Sequence, residues 1–357
     1  MKLIYLALVV LCVSCANKPD KSQISDEQNL CKYSKWLRIS ESKDLVTIEI
    51  INPDDPNQIR RLKLPNFNGP INTAVDYDIK EPLDRLACLS NTHVGMLSAL
   101  NSQHKIVAVS DLKYIYDAKV KSNKVISLGD EQVISPEKII KSKAQAVVYS
   151  GFSNSFPKQE ILNKIGIHSI PNYDWRETNA LGKAEWILLF GYLTGNAGKA
   201  KAVFNEICSN YNTCKKRNQK SEKGPLMISG NVTGGFWIAP SGQSYHSQLF
   251  KDAGMNYVLS SQKGTGSIQI TIEKALASGN RASLWLNPGL PTKEAILNSN
   301  VNAVHMNPMK NGKIYCYSHD SNKYWELSAC RPDLVLLDYI KIQSGKTVDL
   351  FFYKQVE

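Results

Sequence analysis

Beyond its first residues the chain has no apolar run that could span a bilayer, a crossing that takes about 20 residues. It has no HExxH, no phosphate-binding glycine loop and no Ser/His/Asp order, so the common hydrolytic and nucleotide-dependent chemistries lack a carrier. Ser241-Gly242-Gln243-Ser244 comes nearest to a nucleophile elbow but lacks the strand–turn–helix setting. The run Trp175 to Glu177 and Glu326 offer carboxylates that nothing pairs, and the chain reads as a binder, not an enzyme. No cysteine pair has CxxC spacing and no histidine lies at ligand spacing, so neither a resident metal nor a cofactor is expected. The net charge is +11, yet the lysines are scattered. The one dense basic cluster, Lys215-Lys216-Arg217 with Lys220 and Lys223, lies in a polar stretch without interleaved aromatics, which argues against nucleic acid. The milder meaning of the charge is attraction to anionic headgroups or to an anionic ligand.

What the chain does have begins at its start. Met1-Lys2 is positive, Leu3 to Val13 is almost wholly apolar, and Ser14-Cys15 follows. The pattern is a secretory signal ending in a lipidation box, with Cys12 where leucine is usual. Removal of residues 1–14 and a lipid on Cys15 are expected; the competing reading is an ordinary signal with a chance cysteine. Ala16 to Glu27 is polar and contains proline, in the manner of a flexible tether.

Export governs the other cysteines. Of 8 in the chain, Cys31, Cys88, Cys208, Cys214, Cys316 and Cys330 remain after the signal and the lipidated residue. An even set in an oxidising compartment suggests disulfides. Proximity favours Cys208–Cys214 and Cys316–Cys330, leaving Cys31–Cys88, although sequence alone does not fix the pairing.

With 357 residues, 43% hydrophobic and 21% charged, the chain is globular with one to three domains. Short β-like runs alternate with helical stretches from Leu86 onward. Strands are expected over 86–90, 106–109, 146–149 and 167–170. Helices are expected over 93–100 behind Thr92 as cap, from Pro136 behind Ser135, and over 157–165. The second half repeats the plan, with strands over 226–229 and 283–286 and helices over 245–253, from Thr271, and over 293–297. Such alternation indicates βα units and parallel sheets. Ser135-Pro136-Glu137-Lys138 before Ala146 to Tyr149 parallels Thr271-Ile272-Glu273-Lys274 before Ser283 to Leu286, which suggests two lobes of one architecture. Between them, Trp186, Leu189 and Leu193 recur at helical spacing until Gly195-Asn196. Then Ala200, Phe204, Ile207, Cys208 and Tyr211 mark a helix of about 20 residues, roughly 30 Å long. One helix crossing between lobes implies little hinge motion; the alternative is a helix packed on a single domain.

These features together resemble the helix-linked periplasmic binding proteins of ABC importers for ferric siderophores, haem and vitamin B12. The resemblance rests on Arg85 to Leu97, on Glu185-Trp186 through Tyr211, on Trp237 to Tyr245, on Tyr324-Trp325-Glu326 and on Arg331 to Leu336. The later stretches are similar to the version found in Bacteroidetes lipoproteins, and Trp36 to Asn66 resembles that subgroup's extra N-terminal hairpin. The resemblance implies an α/β fold of two Rossmann-like lobes joined by one long α-helix, with the ligand cleft between them. It divides the chain into a signal (1–14), a lipidated tether (15–35), an N-terminal lobe with its hairpin (36–178), connecting helices (179–217) and a C-terminal lobe (218–357).

The family implies a lipid-anchored, periplasm-facing monomer that delivers a ferric siderophore, or cobalamin or haem, to an ABC permease and its ATPase. A surface lipoprotein with a degenerate binding fold is the other class; an aromatic-rich cleft argues against it and a filled cleft for it. By position, Glu137 and Glu273 are the lobe glutamates that dock on the permease. Both are also helix-start glutamates of the kind the macrodipole favours in any α/β protein. The ligand is expected past the carboxyl ends of the strands. Thr92, His93, Tyr114, Tyr149, Trp175, Trp237, Tyr245, Asn287, Trp325 and Arg331 are the candidates, the aromatics for a large, partly apolar ligand and the arginine for an anionic group.

Overall fold

The computed structural model describes residues 23–69, 71–152, 156, 159–218, 224–317 and 321–357. The expected signal, Cys15, Pro157, Lys220 and Lys223 lie outside these residues. Among the described residues no helix is long and apolar enough to cross a membrane.

The chain first forms β1 (Leu37–Glu41), β2 (Leu45–Ile51) and β3 (Ile59–Pro65), an antiparallel meander in that order. Alternation puts Leu37, Ile39, Val46, Ile48, Ile50, Leu62 and Leu64 on the buried face. The expected hairpin is therefore a three-stranded sheet, because Ile59 to Leu64 keeps the period of two while its outward positions carry arginine and lysine. Two carboxylates fasten the segment before β1 to the rest of the protein. Glu185 accepts the backbone N–H groups of Lys32, Tyr33 and Ser34 at 2.7–2.8 Å. Glu177 accepts the Ser34 hydroxyl at 2.5 Å and the Trp186 indole N–H at 3.0 Å. Burial raises the pKa of both carboxyl groups, and the donors around them oppose it.

The N-terminal lobe runs β4 (Leu86–Cys88), α1 (Asn91–Ala99), β5 (Ile106–Val109), α2 (Ala118–Ser122), β6 (Ile126–Ser127), α3 (Pro136–Lys141), β7 (Ala146–Tyr149), α4 (Gln159–Lys164) and β8 (His168–Pro171). Its parallel sheet has the order β6-β5-β4-β7-β8. Helices cover the faces, so a strand such as Ala146-Val147-Val148-Tyr149 is buried along its whole length. Ser90, not Thr92, caps α1: its hydroxyl accepts the Thr92 N–H at 3.3 Å. Ser135 holds the cap position of α3, but its hydroxyl donates to the Glu137 carboxylate and not to the helix backbone.

Three helices follow: α5 (Ala180–Glu185), α6 (Ile187–Leu193) and α7 (Ala197–Asn218). Every residue of α6 is buried, so it runs through the interior. At 22 residues α7 is about 33 Å long. Its far end is fixed to the second lobe, where Asp252 accepts the Tyr211 hydroxyl at 2.6 Å and pairs with Lys215 at 3.0 Å.

The C-terminal lobe runs β9 (Leu226–Ser229), β10 (Asn231–Thr233), β11 (Phe236–Pro240), α8 (Tyr245–Asp252), β12 (Asn256–Tyr257), β13 (Ser267–Ile270), α9 (Ile272–Arg281) and β14 (Leu284–Leu286). It continues with α10 (Lys293–Ser299), α11 (Asn307–Asn311), β15 (Ile314–Tyr317), α12 (Ser321–Leu327), α13 (Pro332–Gln343) and β16 (Tyr353–Gln355). The main sheet is β12-β9-β14-β15-β16, parallel except for the last pair. A small antiparallel sheet, β10-β11-β13, has no counterpart in the first lobe. The chain is thus a two-lobed α/β protein with one long helix between its parallel sheets.

The expected disulfides are not formed: Cys31, Cys88, Cys208, Cys214, Cys316 and Cys330 are all free thiols. Cys208 and Cys214 lie on one straight helix, about 9 Å apart along its axis, beyond the roughly 7 Å a disulfide spans. Cys31, Cys88, Cys316 and Cys330 serve as small buried apolar groups.

Candidate functional site

The carboxyl ends of β9, β14 and β15 open on a cavity of about 270 Å³ in the C-terminal lobe, lined among others by Gly230, His246, Asn287, Tyr317 and Trp325. Two buried indoles brace the backbone that lines it. Trp237 donates to the Ser229 carbonyl at 3.1 Å and Trp285 to the Gly230 carbonyl at 2.9 Å, with their rings 5.3 Å apart. Trp237 is fully buried, so it braces the loop after β9 and presents no surface to a ligand. Asn287 stands in the left-handed region at φ 58°, which its short polar side chain tolerates.

Two polar atoms of the cavity's lining residues, Asn287 Oδ1 and His246 Nδ1, are buried and have no hydrogen-bond partner among the described residues. Burial, with the Lys183 ammonium as a smaller cause, lowers the His246 pKa to about 3, so the ring is neutral and one nitrogen is an acceptor. The Lys183 ammonium lies 4.6 Å from the Tyr245 ring centroid. Asp174, on the N-terminal lobe, is buried, which raises its carboxyl pKa against the Lys183 charge and the Thr92 hydroxyl. Asp174, Lys183 and Tyr245 thus run from one lobe through α5 to the other. Sequence reasoning passed over Asp174, Lys183 and His246, for which only the Tyr245-His246 pair at a helix start offered a signal.

The lobes touch through α1 and α12. Glu326 of α12 is fully buried and accepts the backbone N–H groups of Tyr116 at 2.7 Å and Asp117 at 3.2 Å. Burial raises its pKa to about 7, against those two amides. Asn322 donates to the Lys113 carbonyl at 3.2 Å. At Gly95 an added Cβ would sit 1.9 Å from the Glu326 carbonyl oxygen, so the helices meet where only glycine fits. Glu326 is thus a structural link between the lobes.

The other expected residues are dispersed. Trp325 is half exposed at the cavity, its ring 5.4 Å from Tyr317. Tyr245 is half-buried at the start of α8. Thr92 is half-buried at the first turn of α1. Tyr114 is exposed in a 3-10 turn held by Asn91, whose amide donates to its carbonyl at 2.7 Å. Trp175 donates to the Ser150 carbonyl at 2.6 Å and stacks near the exposed Phe152 at 4.9 Å. Tyr149 is buried against Phe156, with centroids 4.7 Å apart. His93 faces inward, fully buried beside Phe190 at 5.6 Å, and burial lowers its pKa to about 3. It lies in the helix-facing core because position 93 points back from the α1 start towards α6. Arg331 is engaged by Asp333 through hydrogen bonds of 2.9 and 2.8 Å at the start of α13, so the partner for an anion is already supplied by the chain. Glu137 and Glu273 are exposed in the first turns of α3 and α9, one on each lobe.

A larger hollow of about 590 Å³ lies beside β12 and α8, lined by Gln243, Gln248, Lys251 and Asn256. It borders only the short edge strand β12, whereas the smaller cavity gathers the carboxyl ends of β9, β14 and β15 in the middle of the sheet, so the smaller cavity is the better candidate. Among the described residues no group of acids, cysteines and histidines could hold a metal ion.

The periplasmic binding protein family matches residues 86–321. An uncharacterized lipoprotein of Methanocaldococcus jannaschii is 24% identical over 285 residues, 74% of this chain; the chain spans 66% of that relative's length. Solved structures share the fold. A possible iron-binding periplasmic solute-binding protein of Staphylococcus epidermidis has a TM-score of 0.58 at 16% identity, covering 73% of this chain and 99% of that one. A periplasmic heme binding protein of Pseudomonas aeruginosa has 0.59 at 14%, covering 73% and 93%. A periplasmic vitamin B12 binding protein of Vibrio cholerae has 0.54 at 15%, covering 75% and 99%. The family and these neighbours are binding proteins, not enzymes.

Proposed function

The chain belongs to the periplasmic binding protein family, and on that premise we propose that it is a solute receptor that takes an iron complex between its lobes and passes it to an ABC permease. The observation that carries this reading is the cavity at the strand ends of the C-terminal lobe, where buried Asn287 Oδ1 and His246 Nδ1 have no hydrogen-bond partner among the described residues and Tyr317 and Trp325, the latter on the helix that meets α1, form an aromatic wall. Such a wall suits a ferric siderophore with an aromatic or apolar body; cobalamin and haem are the alternatives in the same class. None of Thr92, Tyr114, Trp175 and Tyr245 lines the cavity itself; in this reading they would meet a ligand that extends beyond it, the first three from the N-terminal lobe and Tyr245 from the C-terminal one. The neighbours that bind iron, heme and vitamin B12 support the ligand class by fold. The lipoprotein relative and the Cys15 box support a lipid anchor that holds the receptor at the envelope, facing the periplasm as a monomer. Glu137 and Glu273 act as two separated anionic points that orient the protein on the permease, a role in which charge sets encounter and register more than affinity.

At about 270 Å³ the cavity falls just below the usual range of roughly 300–1,000 Å³ for small-molecule sites. Entry of a metal complex therefore requires α12 to draw back from α1, and Glu326 is the group that holds it. The same closure favours a second reading, a surface lipoprotein whose binding fold is filled. Equilibrium dialysis of the full-length chain carrying Cys15→Ser against haemin, cobalamin and a panel of ferric siderophores separates the two. Saturable uptake of one compound at micromolar or tighter affinity supports the receptor; uptake of none supports the filled fold.

A further inference from the structure

A third hollow, about 380 Å³, lies where the N-terminal sheet meets the ends of β7 and β8. Its wall includes Gln58 and Arg60 from the N-terminal sheet, Tyr149 and Tyr173 from the lobe, and Gln159 of α4. No lining residue comes from the C-terminal lobe, so this groove is separate from the cavity at the ends of β9, β14 and β15.

Arg60 is the unusual member. It is half-buried, and its Nε is buried without a hydrogen-bond partner among the described residues. Among the described residues it makes no ion pair, and the acids nearby are otherwise engaged. Asp54 is held by Arg176 at 2.7 Å, Asp78 accepts the Lys63 N–H at 2.8 Å, and Glu131 accepts the Ser150 N–H at 2.7 Å. The Arg60 charge is nevertheless felt at Tyr149 and at His168, which puts the guanidinium near the lobe side of the groove. An N–H withdrawn from water without an acceptor is costly, and the guanidinium's fork geometry matches carboxylate and phosphate. Tyr149 and Tyr173 are both more than nine-tenths buried, and burial pushes both phenols up, so they stay protonated as neutral donors. The remaining polar lining is amide, which adds donors without adding negative charge.

We infer that this groove is a second binding site, for a phosphate- or carboxylate-type oxyanion, with Arg60 as its cation and the Tyr149 and Tyr173 hydroxyls as neutral donors. The site exists because the extra N-terminal sheet is folded against the lobe. It is independent of what the cavity at the ends of β9, β14 and β15 binds.

Isothermal titration calorimetry on the full-length chain carrying Cys15→Ser tests it with inorganic phosphate, with citrate, and with phosphatidylglycerol vesicles. Saturable binding of phosphate or citrate, weakened at least tenfold in Arg60→Gln and less in Arg60→Lys, is the expected result. Binding of the vesicles alone, lost in Arg60→Gln, identifies a lipid headgroup as the source of the same chemistry. Circular dichroism reports whether Arg60→Gln is folded; if it is not, the double variant Tyr149→Phe, Tyr173→Phe takes its place, with an expected loss of about threefold or more. Absence of binding to all three probes, or equal binding by the wild type and the folded variants, overturns the assignment.

Discussion

The Glu326 link should make the closed form pH-dependent. The carboxyl is fully buried between the Tyr116 and Asp117 amides, and its pKa rises from the model-peptide value of 4.5 to about 7. Below pH 4.5 the group is protonated whether the protein is folded or unfolded, and it contributes no pH dependence. Between pH 4.5 and 7 the folded state keeps the proton that the unfolded state has released, so stability falls as pH rises. Above pH 7 the loss is complete, on the order of 3 kcal/mol from a shift of this size. Glu326→Gln retains an acceptor for the amides and cannot ionise. Urea unfolding of wild type and variant at pH 5, 6, 7 and 8 isolates the group, because other buried acids contribute equally to both. The wild type should lose about 3 kcal/mol relative to the variant between pH 5 and 8. Parallel stability profiles would refute the claim that a buried charge sits at the lobe contact.

Three further outcomes follow from the same geometry. Gly95→Ala places a Cβ on the Glu326 carbonyl, so it should separate α1 from α12, cost more than about 2 kcal/mol in urea unfolding, and raise the radius of gyration in small-angle scattering. Glu185→Ala removes the acceptor for three backbone N–H groups, so stability should drop by about 3 kcal/mol and limited proteolysis should open the chain near residues 32–34. Reversing charge at Glu137 and Glu273 together should abolish uptake in transport assays and leave ligand affinity unchanged, since both are exposed and neither lines the cavity; an equal fall in affinity would show that they do not serve docking.

The βα alternation was legible because each strand is a short apolar run followed by a polar cap. Ile106 to Val109, Ala146 to Tyr149 and Leu226 to Ser229 fall at the expected residues. The long helix showed through the spacing of Ala200, Phe204, Ile207 and Tyr211, all buried. Residues with long-range partners were not legible. Thr92 looks like a cap until Ser90 is seen to do the work, and Arg331 looks available until Asp333 is seen beside it. His93 and Trp237 occupy positions past strand ends, where the sequence pattern places ligand contacts, yet they face the interior. One-dimensional pattern gives the distance of a residue from a strand end and says nothing of the side its chain takes. Glu326 was invisible as a lobe contact because its partners, Tyr116 and Asp117, lie more than 200 residues earlier in the chain. The cysteine count was misleading for a related reason: an even number says nothing about separation, and α7 keeps Cys208 and Cys214 apart.

The most direct test of a ligand seated between the lobes uses Trp325, the half-exposed indole on the cavity wall. Intrinsic fluorescence of the full-length chain carrying Cys15→Ser is titrated with haemin, cobalamin and ferric siderophores, beside the same protein with Trp325→Phe. Saturable quenching by one compound, largely lost in Trp325→Phe while dialysis still registers binding, is the predicted result. Quenching that is identical in the two proteins, or absent for every compound, would contradict a ligand site at the lobe boundary.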